Sequence, residues 1–150
     1  MTNINIYAKW NNMEQHKIIR IYNNRTAGII FIILNIIVIF IETLIILKLL
    51  PYNIIGGGRL ENYLYIYVTT FTSIIILLIE ILFIVIVQKY NNKRKTNIFI
   101  KITLWIIFSY LCINLIGNIL SKTLFEKFFM GIICVIQLIN IIIIINGDYY

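Results

Sequence analysis

The chain has 150 residues, 61% hydrophobic and 13% charged, with a formal net charge of +7 and a mean hydropathy of +0.92. Soluble domains carry roughly 45–50% apolar and 25% charged residues, so no water-soluble fold could hide this much apolar surface. Four spans of about 20 to 26 residues with short connections use nearly all of the chain, and no second, soluble domain is expected.

The fold class these numbers predict is an all-α membrane protein, a bundle of four transmembrane helices with both termini inside. The 42 isoleucines and 16 asparagines read as codon bias, and no function follows from them. Isoleucine lowers helix propensity in water, but hydrocarbon forces every backbone polar group to be satisfied within its own segment, so helix wins. The apolar runs are continuous and lack period-two alternation, which argues against a barrel. Cys112 and Cys134 fall inside apolar runs and form no C-x-x-C pair, and His16 is the single histidine. No metal-ligand set, haem ligand or cofactor motif is present, so no cofactor is expected.

In chain order, residues 1–26 form a polar, mildly basic arm expected to be weakly ordered and cytoplasmic. The alternative is a short surface helix, because Ile6, Trp10 and Met13 recur at helical spacing. The first span is expected over 27–50, with Pro51 marking its end. A loop containing Gly56-Gly57-Gly58-Arg59 leads to the second span, 63–88, whose start carries Tyr63, Tyr65 and Tyr67 as an aromatic belt would. A basic loop separates it from the third span, 98–120. The fourth, 124–145, follows Thr123-Leu124-Phe125-Glu126, which reads as a capping box. Residues 146–150 form a short cytoplasmic tail.

Orientation follows from the cations near the spans. Lys9, Lys17, Arg20 and Arg25 precede the first span and Lys89, Lys93, Arg94 and Lys95 lie between the second and third, whereas the other two loops and the start of the fourth span hold only Arg59, Lys122 and Lys127. This bias predicts a multi-pass protein of the cytoplasmic membrane with both ends inside. The lipid bilayer is the expected partner, joined by a second copy or another membrane protein. No basic patch interleaved with aromatics lies on a foldable soluble segment, so nucleic acid is not.

Glu42 and Glu80 are the informative residues, since a carboxylate at mid-membrane depth costs about 2.5–3.5 kcal/mol even on lenient insertion scales. At about 1.5 Å per residue Glu42 lies about 22 Å above the inner end of its span, in the outer half. Glu80, descending from outside, lies in the inner half. Depth matches Glu80 to Lys101, a candidate inner pair, and Glu42 to Asn114 and Asn118, one helical turn apart on one face. Gly28, Asn35 and Glu42 recur at seven-residue spacing, Thr70, Ser73 and Glu80 share a side, and Asn114, Gly117 and Ser121, then Gln137 and Asn140, continue the pattern. Such stripes face neighbouring helices, either as interhelical glue or as the wall of an outward-opening cavity, with Gly117 and Ser121 permitting close helix approach. The candidate outer cluster is Glu42, Gly57, Gly58, Arg59, Asn114, Asn118, Lys122 and Glu126. Its glycine-rich turn beside an arginine can form a nest for an anion.

The stretch Leu50-Pro51-Tyr52-Asn53-Ile54-Ile55-Gly56-Gly57-Gly58-Arg59-Leu60, with Asn114-Leu115-Ile116-Gly117-Asn118-Ile119-Leu120-Ser121-Lys122 and Phe125-Glu126, resembles a family of small four-span bacterial integral membrane proteins of unassigned function. The resemblance implies an integral protein of the cytoplasmic membrane. With no nucleophile–base pair, a catalytic site is not expected. The leading expectation is a non-enzymatic accessory or partner-binding membrane factor. The alternatives are a homo-oligomeric proton-coupled transporter with Glu42 as its proton-binding carboxyl, or an enzyme acting on a lipid headgroup.

Overall fold

The computed structural model describes the backbone of residues 2–51, 54, 63–90 and 98–147, and the side chains of these residues apart from 2–23, 63 and 90. It contains α1 (Thr2–Ile46), α2 (Tyr63–Tyr90), α3 (Ile98–Ile119), one π-helical turn (Phe125–Met130) and α4 (Gly131–Asn146), with no strand among the described residues. Four stretches are long and apolar enough to cross a membrane: Asn24–Ile46, Leu64–Lys89, Ile98–Ile119 and Phe125–Asn146. Large apolar side chains such as Phe40, Phe71, Ile106 and Ile113 stand more than 60% exposed along these spans. In water such surface would be costly, whereas lipid tails solvate it at no penalty. The chain is a multi-pass membrane protein.

Two boundaries differ from the sequence expectation. Residues 2–26 are not a loose arm, because α1 is helical from Thr2 onward. No glycine or proline occurs before Gly28, and a helix already nucleated in the apolar span extends cheaply into a polar segment free of breakers. The side chains of Ile6, Trp10 and Met13 lie outside the described residues.

The other end of α1 stops earlier than Pro51. The Leu49 N–H bonds the Leu44 carbonyl at 2.9 Å and the Lys48 N–H bonds the Ile45 carbonyl at 3.0 Å. Lys48 is left-handed, with φ 59°. These two bonds around a left-handed residue make a Schellman motif, with lysine where glycine is usual. The helix has closed before the proline is reached.

The helices run antiparallel in sequence. Asn35 of α1 bonds Glu80 of α2 and Gln137 of α4, and seven residues later Glu42 bonds Ser73. Gly147, just past α4, lies beside Asn24, so numbering falls along both α2 and α4 as it rises along α1. The end bearing the α1–α2 and α3–α4 connections is distal, and the end where the α1 span begins at Asn24 is proximal.

Contacts concentrate between α1 and α4, α3 and α4, and α1 and α2. The helices thus follow one another as α2, α1, α4, α3. The span ending in α4 is 44% buried and that of α3 only 17%, which places α4 inside and α3 on the flank. Ten buried apolar residues, with Phe31, Ile84, Leu104 and Ile141 at their centre, fill the proximal half. The distal half has only Val38, Leu77 and Ile133 in its cluster. The bundle is solid at one end and hollow at the other.

Candidate functional site

The hollow half holds a cavity of about 410 Å³ lined by all four helices. From α1 come Val38 and Glu42, and from α2 Thr69, Thr70, Ser73 and Leu77. Tyr110, Leu111, Asn114 and Asn118 close the α3 side. Glu126 and Met130 of the π turn and Ile133, Cys134 and Gln137 of α4 complete the wall. The volume falls within the roughly 300–1,000 Å³ range of small-molecule pockets.

Glu42 is 8% exposed. Its Oε1 accepts a hydrogen bond from the Ser73 hydroxyl at 2.6 Å, while its Oε2 is buried with no partner. The expected bond to Asn114 or Asn118 does not form. Both residues line the same cavity as Glu42, and Asn118 Nδ2 instead donates to Cys134 Sγ at 3.3 Å. The sequence reading placed these residues at one depth correctly and missed that α2, not α3, supplies the bonding neighbour. The Thr70 hydroxyl is likewise buried without a partner.

Beneath the cavity lies a second polar level. Asn35 Nδ2 donates to Glu80 Oε2 at 3.1 Å, and the Asn35 carbonyl oxygen accepts from Gln137 Nε2. Asn35 is fully buried, with Glu80 4% and Gln137 3% exposed. Gln137 also lines the cavity floor, so the two levels touch. The expected Glu80–Lys101 pair is absent: Lys101 is exposed and Glu80 Oε1 has no partner. Lys101 sits three residues into α3 and Glu80 nine before the end of its span, a depth difference of about 9 Å. The two helices are also not principal neighbours, and a lysine near a helix end reaches outward to the interface.

At the distal rim Glu126 is buried, and its Oε2 accepts from the Ser121 hydroxyl. The Thr123 hydroxyl lies 3.1 Å both from Glu126 Oε2 and from the Ile54 carbonyl, so its one proton serves either. The Glu126 N–H reaches Thr123 Oγ1 at 3.4 Å, which is one arm of the expected capping box. The other arm is replaced, because the Thr123 N–H donates to Ser121 Oγ at 3.0 Å. This knot ties the α3–α4 connection to the α1–α2 connection and holds the Glu126 carboxyl toward the cavity. π turns recur at functional sites, where the wider turn re-aims side chains.

Of the predicted outer cluster the structure brings Glu42, Asn114, Asn118 and Glu126 to one cavity. Lys122 is exposed and does not line it. Gly57, Gly58 and Arg59, and with them the proposed anion nest, lie outside the described residues. Gly117 was expected at a close helix approach, yet it is exposed and a Cβ there would meet nothing within 4 Å. At Gly28 a Cβ would instead meet the end of the Gln88 side chain, whose amide donates to the Arg25 carbonyl. Tyr110 and Cys134 were missed as site residues. Tyr110 stands one turn before Asn114, and Cys134 three residues before Gln137, so helical spacing from the polar stripes finds both.

Among the described residues the wall holds two carboxyls and no lysine, arginine or histidine. Among the described residues no group of three or more His, Cys, Asp or Glu side chains could hold a metal ion. No family model, curated protein or solved structure matches the chain.

Proposed function

We propose that this chain is a non-enzymatic integral protein of the cytoplasmic membrane, inserted with both termini inside. It works as an accessory factor that binds through the hollow distal half of its bundle. The observation carrying this reading is the Glu42 carboxyl, which is buried on the wall of a cavity shared by four helices with Oε2 unpartnered. Interhelical hydrogen bonds in membranes average about 0.6 kcal/mol and reach about 1.7. One such bond, to Ser73, does not offset the roughly 2.5–3.5 kcal/mol for a mid-membrane carboxylate. Polar residues serving only as glue pair off their groups, as Asn35 and Gln137 do. Glu42 instead spends one bond on Ser73 and lines a cavity large enough for a small ligand.

Photocrosslinking in native membranes tests this. A benzophenone amino acid at Met130, on the cavity wall, is expected to capture a specific adduct, and the same group at Ile142, exposed on α4 in the proximal half, to capture lipid alone. Identical lipid-only patterns at the two positions would sink the binding role.

A further inference from the structure

We infer that the distal cavity opens sideways into the bilayer between α2 and α3 and takes up an uncharged, membrane-dissolved amphiphile, a short apolar chain with a hydroxyl or carbonyl head. The inference rests on the reading of this cavity as a binding site and adds the route and the ligand class.

Exposure marks the route. Among the described residues of the wall, Thr69 of α2 and Asn114 of α3 are exposed, and the others are buried or half-buried. These two helices are the flanks of the order α2, α1, α4, α3 and are not packing neighbours, so the gap between them is the mouth. Thr69 lies five residues past Leu64 and Asn114 five before Ile119, which puts both about 8 Å inside the distal ends of their spans. The α3 span is about 33 Å long, close to the roughly 30 Å of the hydrocarbon core. A mouth at this level meets lipid tails, so its ligand arrives dissolved in the membrane. An ionised head is heavily disfavoured at that depth, and an uncharged one far less.

The lining sets the class. Asn114 and Tyr110 stand one turn apart on α3, both on the cavity wall, and neither side chain makes a hydrogen bond among the described residues. Exposed hydroxyls in the spans bond their own helix instead: Thr69 reaches the Tyr65 carbonyl at 2.8 Å, Thr72 that of Val68 at 2.8 Å, and Ser109 that of Trp105 at 2.9 Å. A hydroxyl or carbonyl head at the mouth supplies the amide and the phenol with a partner, and such a bond is stronger away from water. Deeper in, Leu77, Leu111, Met130 and Ile133 offer a surface for hydrocarbon. The volume of about 410 Å³ suits a drug-sized molecule with one short chain.

The full chain is reconstituted in phosphatidylcholine nanodiscs and photolysed with azioctanol, an uncharged amphiphile whose diazirine labels the side chains around it, and mass spectrometry locates the adducts. Labelling of Met130 and Leu111 is expected to saturate, whereas Ile142, exposed in the proximal half, gives only a linear background. Saturation within a phosphatidylcholine bilayer shows that phospholipid does not fill the cavity. Excess octanol is expected to suppress the saturable labelling by about tenfold, and octane and octyltrimethylammonium to leave it unchanged. Thr69→Trp, which fills the mouth from an exposed position, is expected to reduce labelling of Met130 by about tenfold. Asn114→Leu is expected to weaken the octanol competition by about fivefold, and Asn114→Gln to restore most of it. Equal competition by octane would overturn the hydrogen-bonding head, and equal competition by octyltrimethylammonium the uncharged class. Unchanged labelling in Thr69→Trp would overturn the sideways mouth. Each of these leaves the binding cavity standing. A complete lack of saturable labelling in the unaltered chain would overturn the amphiphile, and the binding role would then stand or fall on the adduct captured at Met130 in native membranes.

Discussion

Asn35 joins three helices through one side-chain amide, giving a proton to Glu80 and taking one from Gln137. Asn140, also buried, bonds the Ile136 carbonyl of its own helix at 2.8 Å. Truncating the first orphans groups on α2 and α4, whereas truncating the second frees a carbonyl that its helix already satisfies. Asn35→Ala is therefore expected to destabilise the protein by about 1–3 kcal/mol and Asn140→Ala by well under 1. Steric-trapping measurements in bicelles check this, and equal losses would show that the three-helix network is not what holds the centre. The seven-residue repeat Gly28, Asn35, Glu42 was legible from sequence because side-chain direction follows from the helical period. The partners were not, because residues at one depth are ambiguous until the neighbouring helix is known. Depth alone suggested Lys101 and Asn114, where the structure has Asn35 and Ser73.

The end of α1 shows how local chemistry sets an element's length. The Schellman bonds from Leu49 and Lys48 close the helix on a left-handed lysine, a conformation that strains residues bearing a Cβ. Lys48→Gly removes that strain but gives the unfolded chain more freedom, and the net expectation is a gain of up to about 1 kcal/mol. Unfolding in mixed micelles would register it, and a loss of stability would mean that the lysine side chain contributes more than the strain costs. Proline marks a stop in the sequence because its consequences are categorical. A left-handed lysine leaves no such mark, so the true boundary, four residues before Leu50, was not readable. The capping box at Thr123 was readable in its residue types. Its final form depends on Ser121, which takes over the Thr123 N–H.

At the scale of the whole molecule, the order α2, α1, α4, α3 leaves the flanking helices apart and lets the distal half stay hollow while the proximal half packs solid. The hollow lies at the end far from the termini, which in the proposed orientation faces outward. The same cation bias predicts how introduced thiols behave once Cys112 and Cys134 are replaced by alanine. Lys122→Cys is expected to react with a membrane-impermeant maleimide on intact cells, and Lys93→Cys only after permeabilisation. The reverse pattern would invert the molecule and turn the cavity toward the cytoplasm.

Four helical spans, and the level at which Glu42, Asn114 and Asn118 lie, were determined by sequence alone, because hydrocarbon leaves an apolar segment one way to satisfy its backbone and a fixed rise per residue. Tertiary structure decided which helices are neighbours, and hence that Glu42 meets Ser73, that Glu80 meets Asn35, and that a cavity opens above Gln137. Those outcomes depend on the rotation of every helix about its axis at once. That rotation is set by side-chain packing summed over the bundle, and no single segment carries it.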